Sequence, residues 1–512
     1  MDREVVIVGA GPAGLQLAKH LKSQGLSYVV LERDQDVGAF FKHFPRHRKL
    51  ISINKRYTGF EDPELNLRWD WNSLLDDEPQ HRFTEYSDKY FPPADVMVDY
   101  LRDYRRRHDI EVKTEREVVK VSRSGARFKL SCANGEHYTC DVLVVATGLY
   151  QTNMPKFPGA EHVESYAAIP VDPAAFKDQR VLILGKGNSA FETAESMLET
   201  SAAIHLLSPS VVRMAWRTHY VGHLRAVNNG LLDTYQLKSQ NTILDAKVDR
   251  IEREGSMLRV FFTYMHAGNQ KWDFLVDRVI ACTGFKGSFG LFDESVRPAT
   301  CYEDKYPALT SSWESVNQKN LYFAGTLMHG RDYQKTFSGF IHGFRYNVRA
   351  LSRILLSRRR GQAWKSSRSP LAPHSLVEHL LLAVHRNSAL FQQPGYFCQA
   401  MVVDSKSESF QVFEDVPIEY LRDELLEQRA YATITMEYGH EDHVDPFAVE
   451  RTPEDGTRSA FIHPVLRLYD SDGSVEEYHV PEDLENDWRK PMYLEPLTLW
   501  VQRHFAPWAR AS

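Results

Sequence analysis

The stretch VVIVGAGPAGLQLA, residues 5–18, decides the reading of the N-terminal half. Residues 5–8 form a short run of β-branched apolar side chains, the composition of a parallel strand buried on both faces. Gly9, Gly11 and Gly14 follow at once, and an Ala/Leu-rich helix continues to about Gln24. In a Gly-x-Gly-x-x-Gly turn the first glycine allows the tight bend. The second admits a pyrophosphate to the backbone, and the third lets helix and strand pack closely. The helix start, with Pro12 and Ala13, then faces the phosphates. A second apolar strand, SYVVLE, ends in Glu32, about 20 residues beyond the turn, where a carboxylate accepts hydrogen bonds from ribose hydroxyls. Arg33 follows it. Strand, turn, helix, strand and terminal acid in this order predict a bound adenine dinucleotide.

A second unit of the same kind begins at RVLILGKGNSAFETAE, residues 180–195. Its loop reads Gly185-x-Gly187-Asn188-Ser189-Ala190, with Ala as an accepted third member. The next strand, AIHLLS, ends in Ser208 at the same offset at which the first unit carries Glu32. A carboxylate there repels a ribose 2′-phosphate, whereas a hydroxyl with nearby guanidinium groups binds one. Arg213 and Arg217 follow within a few residues, as phosphate ligands or as ordinary surface charge. The contrast assigns FAD to the first loop and NADPH to the second. DVLVVATG, ending Ala146-Thr147-Gly148, and DRVIACTG, ending Thr283-Gly284, are near copies, placed where each nucleotide unit would hand the chain to the other. NLYFAGT then closes the first unit at Gly325-Thr326 and leads through Phe337, Ser338 and Gly339 into a helix whose start could approach a flavin carbonyl.

Composition narrows the class. The 512 residues carry 62 basic and 68 acidic side chains, a formal net charge of −6, which argues against a nucleic-acid binder. No apolar run is long enough for a membrane span. The first strand begins too early for a signal peptide and the final residues match no retention signal, so a cytoplasmic location is expected. Five cysteines, none in a Cys-x-x-Cys pair, fit a reducing compartment. The cluster GHEDHVD, residues 439–445, is read as an acidic surface loop, and no metal is expected.

The whole arrangement resembles the two-dinucleotide-domain flavoproteins, a group that includes flavin-containing monooxygenases, N-hydroxylating enzymes and thioredoxin-reductase-type proteins. FPRHRKLISINKRYTGFEDPELNLRWDWNSLL, VLILGKGNSAFETAE, DYQKTFSGFIHGFRYN and TMEYG resemble a narrower family within it. That family is the one of FAD-dependent oxidoreductase domain-containing protein 2, also called endoplasmic-reticulum flavoprotein associated with degradation. Two departures stand out within the wider group. The linker histidine, His162, lies one place early for a monooxygenase signature, and Gly325-Thr326 stands where many relatives hold the ribityl chain with Asp.

The resemblance implies hydride transfer from NADPH to FAD. A peroxyflavin would then oxygenate a small nucleophile, an amine nitrogen or a sulfur. It puts Asn54 near the reactive flavin carbon as a catalytic residue, with Lys55 beside it to position NADPH or an acidic substrate; otherwise Asn54 is a turn residue. Trp71 and Asn72 are offered as pocket walls, Trp71 equally as core. The absence of a cysteine pair disfavours a dithiol relay. Two alternatives stay open: an NADPH oxidase or reductase without oxygen insertion, and a redox-responsive interaction protein. The expected partners are a small-molecule substrate and molecular oxygen, with a homodimer an option and no nucleic acid or membrane.

The predicted fold class is α/β, with two Rossmann-like three-layer domains, the NADPH domain being inserted in the FAD domain. Residues 1–160 and 291–356 make the FAD domain and 165–290 the NADPH domain. The basic run at residues 357–368 reads as a solvated linker, and 375–512 as a small α+β extension that caps the site or forms an interface.

Overall fold

The computed structural model describes residues 1–236, 241–404, 406–426, 429–439, 445, 447–471 and 473–510. Three sheets organise the chain. In the first, Val112–Lys113, Tyr28–Leu31, Asp2–Val8 and His137–Val145 run parallel in that order. Leu321–Phe323 pairs in parallel with the C-terminal half of His137–Val145, and the antiparallel hairpin Val118–Ser124/Arg127–Cys132 pairs with its N-terminal half. Val5, Val6, Ile7, Val29, Val30, Leu143 and Val144 are buried, as a sheet covered on both faces requires. Helices Pro12–Ser23 and Ile341–Arg360 pack together. The Gln16 amide, fully buried between them, donates to the Arg345 carbonyl at 2.6 Å and accepts the Leu75 amide at 2.9 Å.

The second sheet has the order Lys271–Val276, Met257–Tyr264, Thr242–Glu254, Ala203–Ser208, Arg180–Leu184, Arg278–Ala281, Glu164–Ser165. Its last five strands are parallel and the first two add an antiparallel meander. The two sheets are joined where the chain crosses over and back: Gln151–Thr152 pairs antiparallel with Phe285–Lys286.

The third sheet is antiparallel throughout: Ser366–Pro370, Ser409–Pro417, Phe397–Asp404, Tyr431–Glu437, His463–Tyr469, Val475–His479. Helices Pro373–Arg386 and Pro491–Arg510 pack on each other beside it. The expected linker at residues 357–368 is not one. The helix runs on to Arg360, and residues 366–370 are the sheet's edge strand. The first three arginines of the run have distant partners: Arg358 with Glu314 and Glu424, Arg359 with Asp141, and Arg360 with Glu4.

The C-terminal unit shares one continuous apolar core with the first sheet. Within the first unit, Arg345 donates to the carbonyls of Asp70, Ser73 and Leu67 at 2.7–3.0 Å, and a second buried arginine ties this unit to the C-terminal one. Arg68 donates to the Val384 carbonyl at 2.6 Å and lies 3.6 Å over the Phe391 ring. Of the GHEDHVD segment, His440, Asp442 and His443 lie outside the described residues, as does Asp472 of the hairpin that joins the last two strands. Among the described residues no helix is long and apolar enough to cross a membrane, and no group of His, Cys, Asp or Glu side chains is arranged to hold a metal ion.

Candidate active site

The first glycine loop is built as its sequence implies. Gly9 has φ +106°, and a side chain there would meet the Ala146 carbonyl oxygen at 2.7 Å. Gly11 faces open space. The helix begins at Pro12 with no side-chain cap, so its first amides and the positive end of its dipole are turned outward. Glu32 is buried, and its carboxylate accepts the Ala10 amide at 2.7 Å and the Asp34 amide at 3.0 Å. Its remaining acceptor positions line a cavity of about 190 Å³ with Arg33, Ala146 and Thr147. Arg33 stacks over Tyr150 at 4.6 Å.

This cavity shares Gly11, Phe40, Phe44, Ala146 and Thr147 with a larger one of about 500 Å³. Pro12, Ala13, Gly148, Gly325, Thr326 and Gly339 line the larger cavity, together with the start of the helix Ile341–Arg360, which also lacks a side-chain cap. At Gly325, φ +74°, a Cβ would lie 2.7 Å from that of Ala13, which explains how closely the closing turn approaches the first helix. An acid at one end, open backbone amides in the middle and a second uncapped helix at the other end fit an extended dinucleotide such as FAD.

The second loop repeats the first. A side chain on Gly185, φ +126°, would run into the Cys282 carbonyl oxygen, while Gly187 faces open space. Ala190 is buried, and the helix Asn188–Ser196 starts without a side-chain cap. Asn188 and Ser189 line the same 500 Å³ cavity as the first loop. The Asn188 side chain braces the neighbouring segment, donating to the His223 carbonyl at 2.8 Å and accepting the Arg225 amide at 2.9 Å.

Ser208, Arg213 and Arg217 line neither cavity. Ser208 ends its strand in register with Asp245, whose carboxylate is ion-paired with the buried Lys186 of the glycine loop. Arg213 and Arg217 are exposed, and Arg217 lies 5.8 Å over the Trp216 ring. Their segment touches the C-terminal unit, with His219 stacked on Tyr438 at 4.3 Å and Trp216 near Phe447 at 5.4 Å.

Several expected residues sit elsewhere. Asn54 is buried but off the cavity, because its amide donates to the Ser87 and Lys89 carbonyls at 2.7 and 3.1 Å. Its backbone forms an isolated antiparallel bridge with Asp70, which is not the turn its local sequence offered as the alternative. Lys55 is exposed and also off the cavity. Lys49, Leu50, Ile51 and Ser52, just earlier in the chain, are the residues of this segment that line it. Asn72 holds Ser52 from behind by side-chain hydrogen bonds, while Trp71 does form a wall. Phe337 and Ser338 are buried one layer back, where Ser338 is bonded to Asn347 and Gln393. Thr283 and Gly284 also lie off the cavity, the Thr283 hydroxyl donating to the Asn153 carbonyl.

Other lining residues carried no local motif. Glu192, one turn into the second helix, has its carboxyl pushed up to about 7 by burial, with Lys49 working against the shift. Arg225 donates to the Ile51 carbonyl at 3.1 Å and lies 5.2 Å over Trp71; burial lowers its pKa. Phe40, Phe44, Tyr166 and Phe285 form an aromatic clasp between the two nucleotide units. A buried chain also links them: Tyr220 to His329 at 2.9 Å, and His329 to Asp332 at 3.2 Å. A periodicity signal marks Glu192 only as one more polar residue on a helix, and Arg225 is a loop residue. Burial from a second unit makes them distinctive.

Comparison with known proteins agrees with this geometry. The family described as pyridine nucleotide-disulphide oxidoreductase matches residues 6–325. FAD-dependent oxidoreductase domain-containing protein 2 from Mus musculus is 38% identical, over 98% of this chain and 84% of that protein. The Danio rerio protein of the same name is 35% identical over 98% and 83%. Among solved structures, a flavin-containing monooxygenase from Stenotrophomonas maltophilia superposes with a TM-score of 0.54 at 19% identity, covering 70% of this chain and 99% of that one. Bacillithiol disulfide reductase from Staphylococcus aureus gives 0.54 at 19%, covering 70% and 100%. At such identity these two establish the fold. The sequence likeness runs through the C-terminal unit as well, and the chain belongs to the FAD-dependent oxidoreductase domain-containing protein 2 family, flavoproteins of the α/β two-dinucleotide-domain type.

Proposed function

We propose that this chain is an NADPH-dependent flavoprotein monooxygenase that oxygenates a small nucleophile at nitrogen or sulfur. The observation that carries the reading is that both glycine loops wall one cavity: Gly11, Pro12 and Ala13 from the first unit, Asn188 and Ser189 from the second. When bound, FAD supplies a ring that takes two electrons from a reduced nicotinamide and passes them to oxygen.

The chain's own part is placement. Glu32 and the open amides after Gly11 hold the first nucleotide, and Gly187, Asn188 and Ser189 the second. Ser208, Arg213 and Arg217, which lie outside both cavities, are the proposed ligands of a ribose phosphate on the second nucleotide. Phe40, Phe44, Trp71 and Phe285 give the space between an apolar wall. Glu192, with a carboxyl that titrates at about 7, can hold or release a proton at the cavity edge near neutral pH. None of the five cysteines lines the cavity, so a dithiol relay within this chain has no thiol to use. That favours oxygen as the acceptor. Flavin-containing monooxygenases from Arabidopsis thaliana, 21–23% identical over 56–61% of the chain, are in keeping with the reading.

The test is a coupled assay on FAD-loaded protein with a panel of amines and thioethers, scored by product mass. A product one oxygen heavier, formed as NADPH is used without matching peroxide, supports the proposal. Peroxide alone with every compound replaces it by an oxidase.

A further inference from the structure

Arg225 reaches the large cavity from the inserted unit, partly buried. Its Nη1 donates to the Ile51 carbonyl at 3.1 Å, and its guanidinium lies 5.2 Å over the Trp71 ring. Nε and Nη2 have no partner among the described residues, and neither is shut away from solvent. No carboxylate among those residues pairs with the group; burial lowers its pKa and only Tyr90 opposes the shift. A cation taken out of bulk water without a counter-ion costs free energy, and an anionic ligand offsets that cost.

The rest of the lining has the same sign. Lys49 and Lys305 line the cavity, and neither is ion-paired among the described residues. Lys49 lies 5.8 Å over the Phe91 ring, and Lys305 donates to the Tyr333 hydroxyl at 3.4 Å. The one acid of the lining is Glu192, whose carboxyl titrates at about 7. Three basic side chains therefore face a single acid that is only partly ionised at neutral pH.

The nucleotide phosphates have other partners. Each has a glycine loop and an uncapped helix start of its own, after Gly11 and after Gly187. The Arg225 amide donates to Asn188 Oδ1 in the second loop, but the side chain reaches Ile51 and Trp71 of the first unit. Trp71 also stacks at 4.4 Å on the buried His342, at the start of the helix Ile341–Arg360 and so at the end of the site far from Glu32. There the Nε and Nη2 hydrogens share one edge of the guanidinium and point the same way, a fork that matches the two oxygens of a carboxylate. Phe40, Phe44, Phe285 and Phe340 on the lining suit an apolar body behind that carboxylate.

We propose that the substrate is a small apolar carboxylic acid, held through its carboxylate by the Nε–Nη2 edge of Arg225, with the nitrogen or sulfur to be oxygenated carried on its apolar body. The reaction in this statement rests on the monooxygenase reading; the anion site does not.

Benzoate and its uncharged counterpart benzamide probe the site by calorimetric titration of FAD-loaded protein, at about pH 6.5, where Glu192 is mostly protonated. We expect benzoate to bind at least about tenfold more tightly than benzamide, with the margin shrinking as salt is raised. Arg225→Met, which keeps an apolar stem beside Trp71, should lose about tenfold in benzoate affinity and leave benzamide unchanged. Arg225→Lys keeps the charge without the fork and should recover part of the loss. Equal affinity of wild-type protein for the two probes would overturn the proposal, and that comparison needs no variant to fold. An Arg225→Met protein that loses both probes equally would also overturn it, since that marks a packing role. So would one that loses NADPH and keeps benzoate, which gives the guanidinium to the nucleotide. In turnover, benzylthioacetate should yield a product one oxygen heavier, and its amide far less. Equal product from the two overturns the acid preference and leaves the monooxygenase standing. A benzoate preference with product from neither upholds the acid site, and what fails is the monooxygenase reading.

Discussion

The Lys186 ammonium, in the second glycine loop, is paired with the Asp245 carboxylate, which stands in register beside Ser208 at the carboxyl end of the inserted sheet. An acid at that place would repel a phosphorylated ribose. Lys186 neutralises it. Lys186→Met should therefore weaken NADPH binding roughly tenfold, with little effect on NADH, as expected for one uncompensated charge of about 1–2 kcal/mol. Adding Asp245→Asn should restore it. Titration of both nucleotides against the flavin-loaded protein provides the comparison.

Arg213 and Arg217 make a separate test of the same preference. Both are exposed, so each contributes a screened charge. The double variant Arg213→Ala/Arg217→Ala is expected to raise the NADPH dissociation constant by about tenfold at low salt and by less at high salt. Binding that does not change at either ionic strength would assign these arginines to the contact with the C-terminal unit instead.

The two glycines of the first turn should separate folding from binding. Gly9→Ala forces a side chain into the Ala146 carbonyl at positive φ and should cost on the order of 2–4 kcal/mol of apoprotein stability. Gly11→Ala meets nothing in the protein, so its apoprotein should melt within about a degree of wild type while FAD affinity falls severely. Denaturant midpoints and FAD titrations on the same preparations distinguish the two.

Glu192 gives a pH dependence of known sign. Its carboxyl is raised from 4.5 to about 7, chiefly by burial. Between those values the folded chain holds a proton that the unfolded chain has lost, so stability falls as pH rises from about 4.5 to 7 and the cost is complete above 7. The shift corresponds to about 3 kcal/mol, nearer about 2 after allowance for partial exposure. Glu192→Gln should flatten this part of the stability profile and stabilise the apoprotein at pH 8, as read from urea midpoints across pH. An unchanged profile would remove Glu192 as the titrating group.

The nucleotide units were legible because each is a local pattern. Apolar runs, glycine spacing and strand-end residues lie within some thirty residues of one another, and the backbone has few ways to satisfy them. The shared cavity was not legible to that depth. Glu192, Arg225 and His342 owe their character to burial by segments far away in the chain, which no local window contains. Asn54 shows the reverse error. Likeness to monooxygenases carried it to the flavin, whereas the carbonyls of Ser87 and Lys89 hold its side chain away from the cavity. The basic run at residues 357–368 misled for a similar reason, since the acids that pair with Arg358, Arg359 and Arg360 come from four separate segments.

The central claim is that two different dinucleotides meet in one cavity, FAD held by the first loop and NADPH by the second. Anaerobic stopped-flow reduction of the FAD-loaded protein tests it most directly. The account predicts that NADPH bleaches the flavin absorbance and reaches half its maximal rate at a concentration at least about tenfold below that of NADH. Equal concentrations for the two, or a flavin that neither nucleotide reduces, would contradict it.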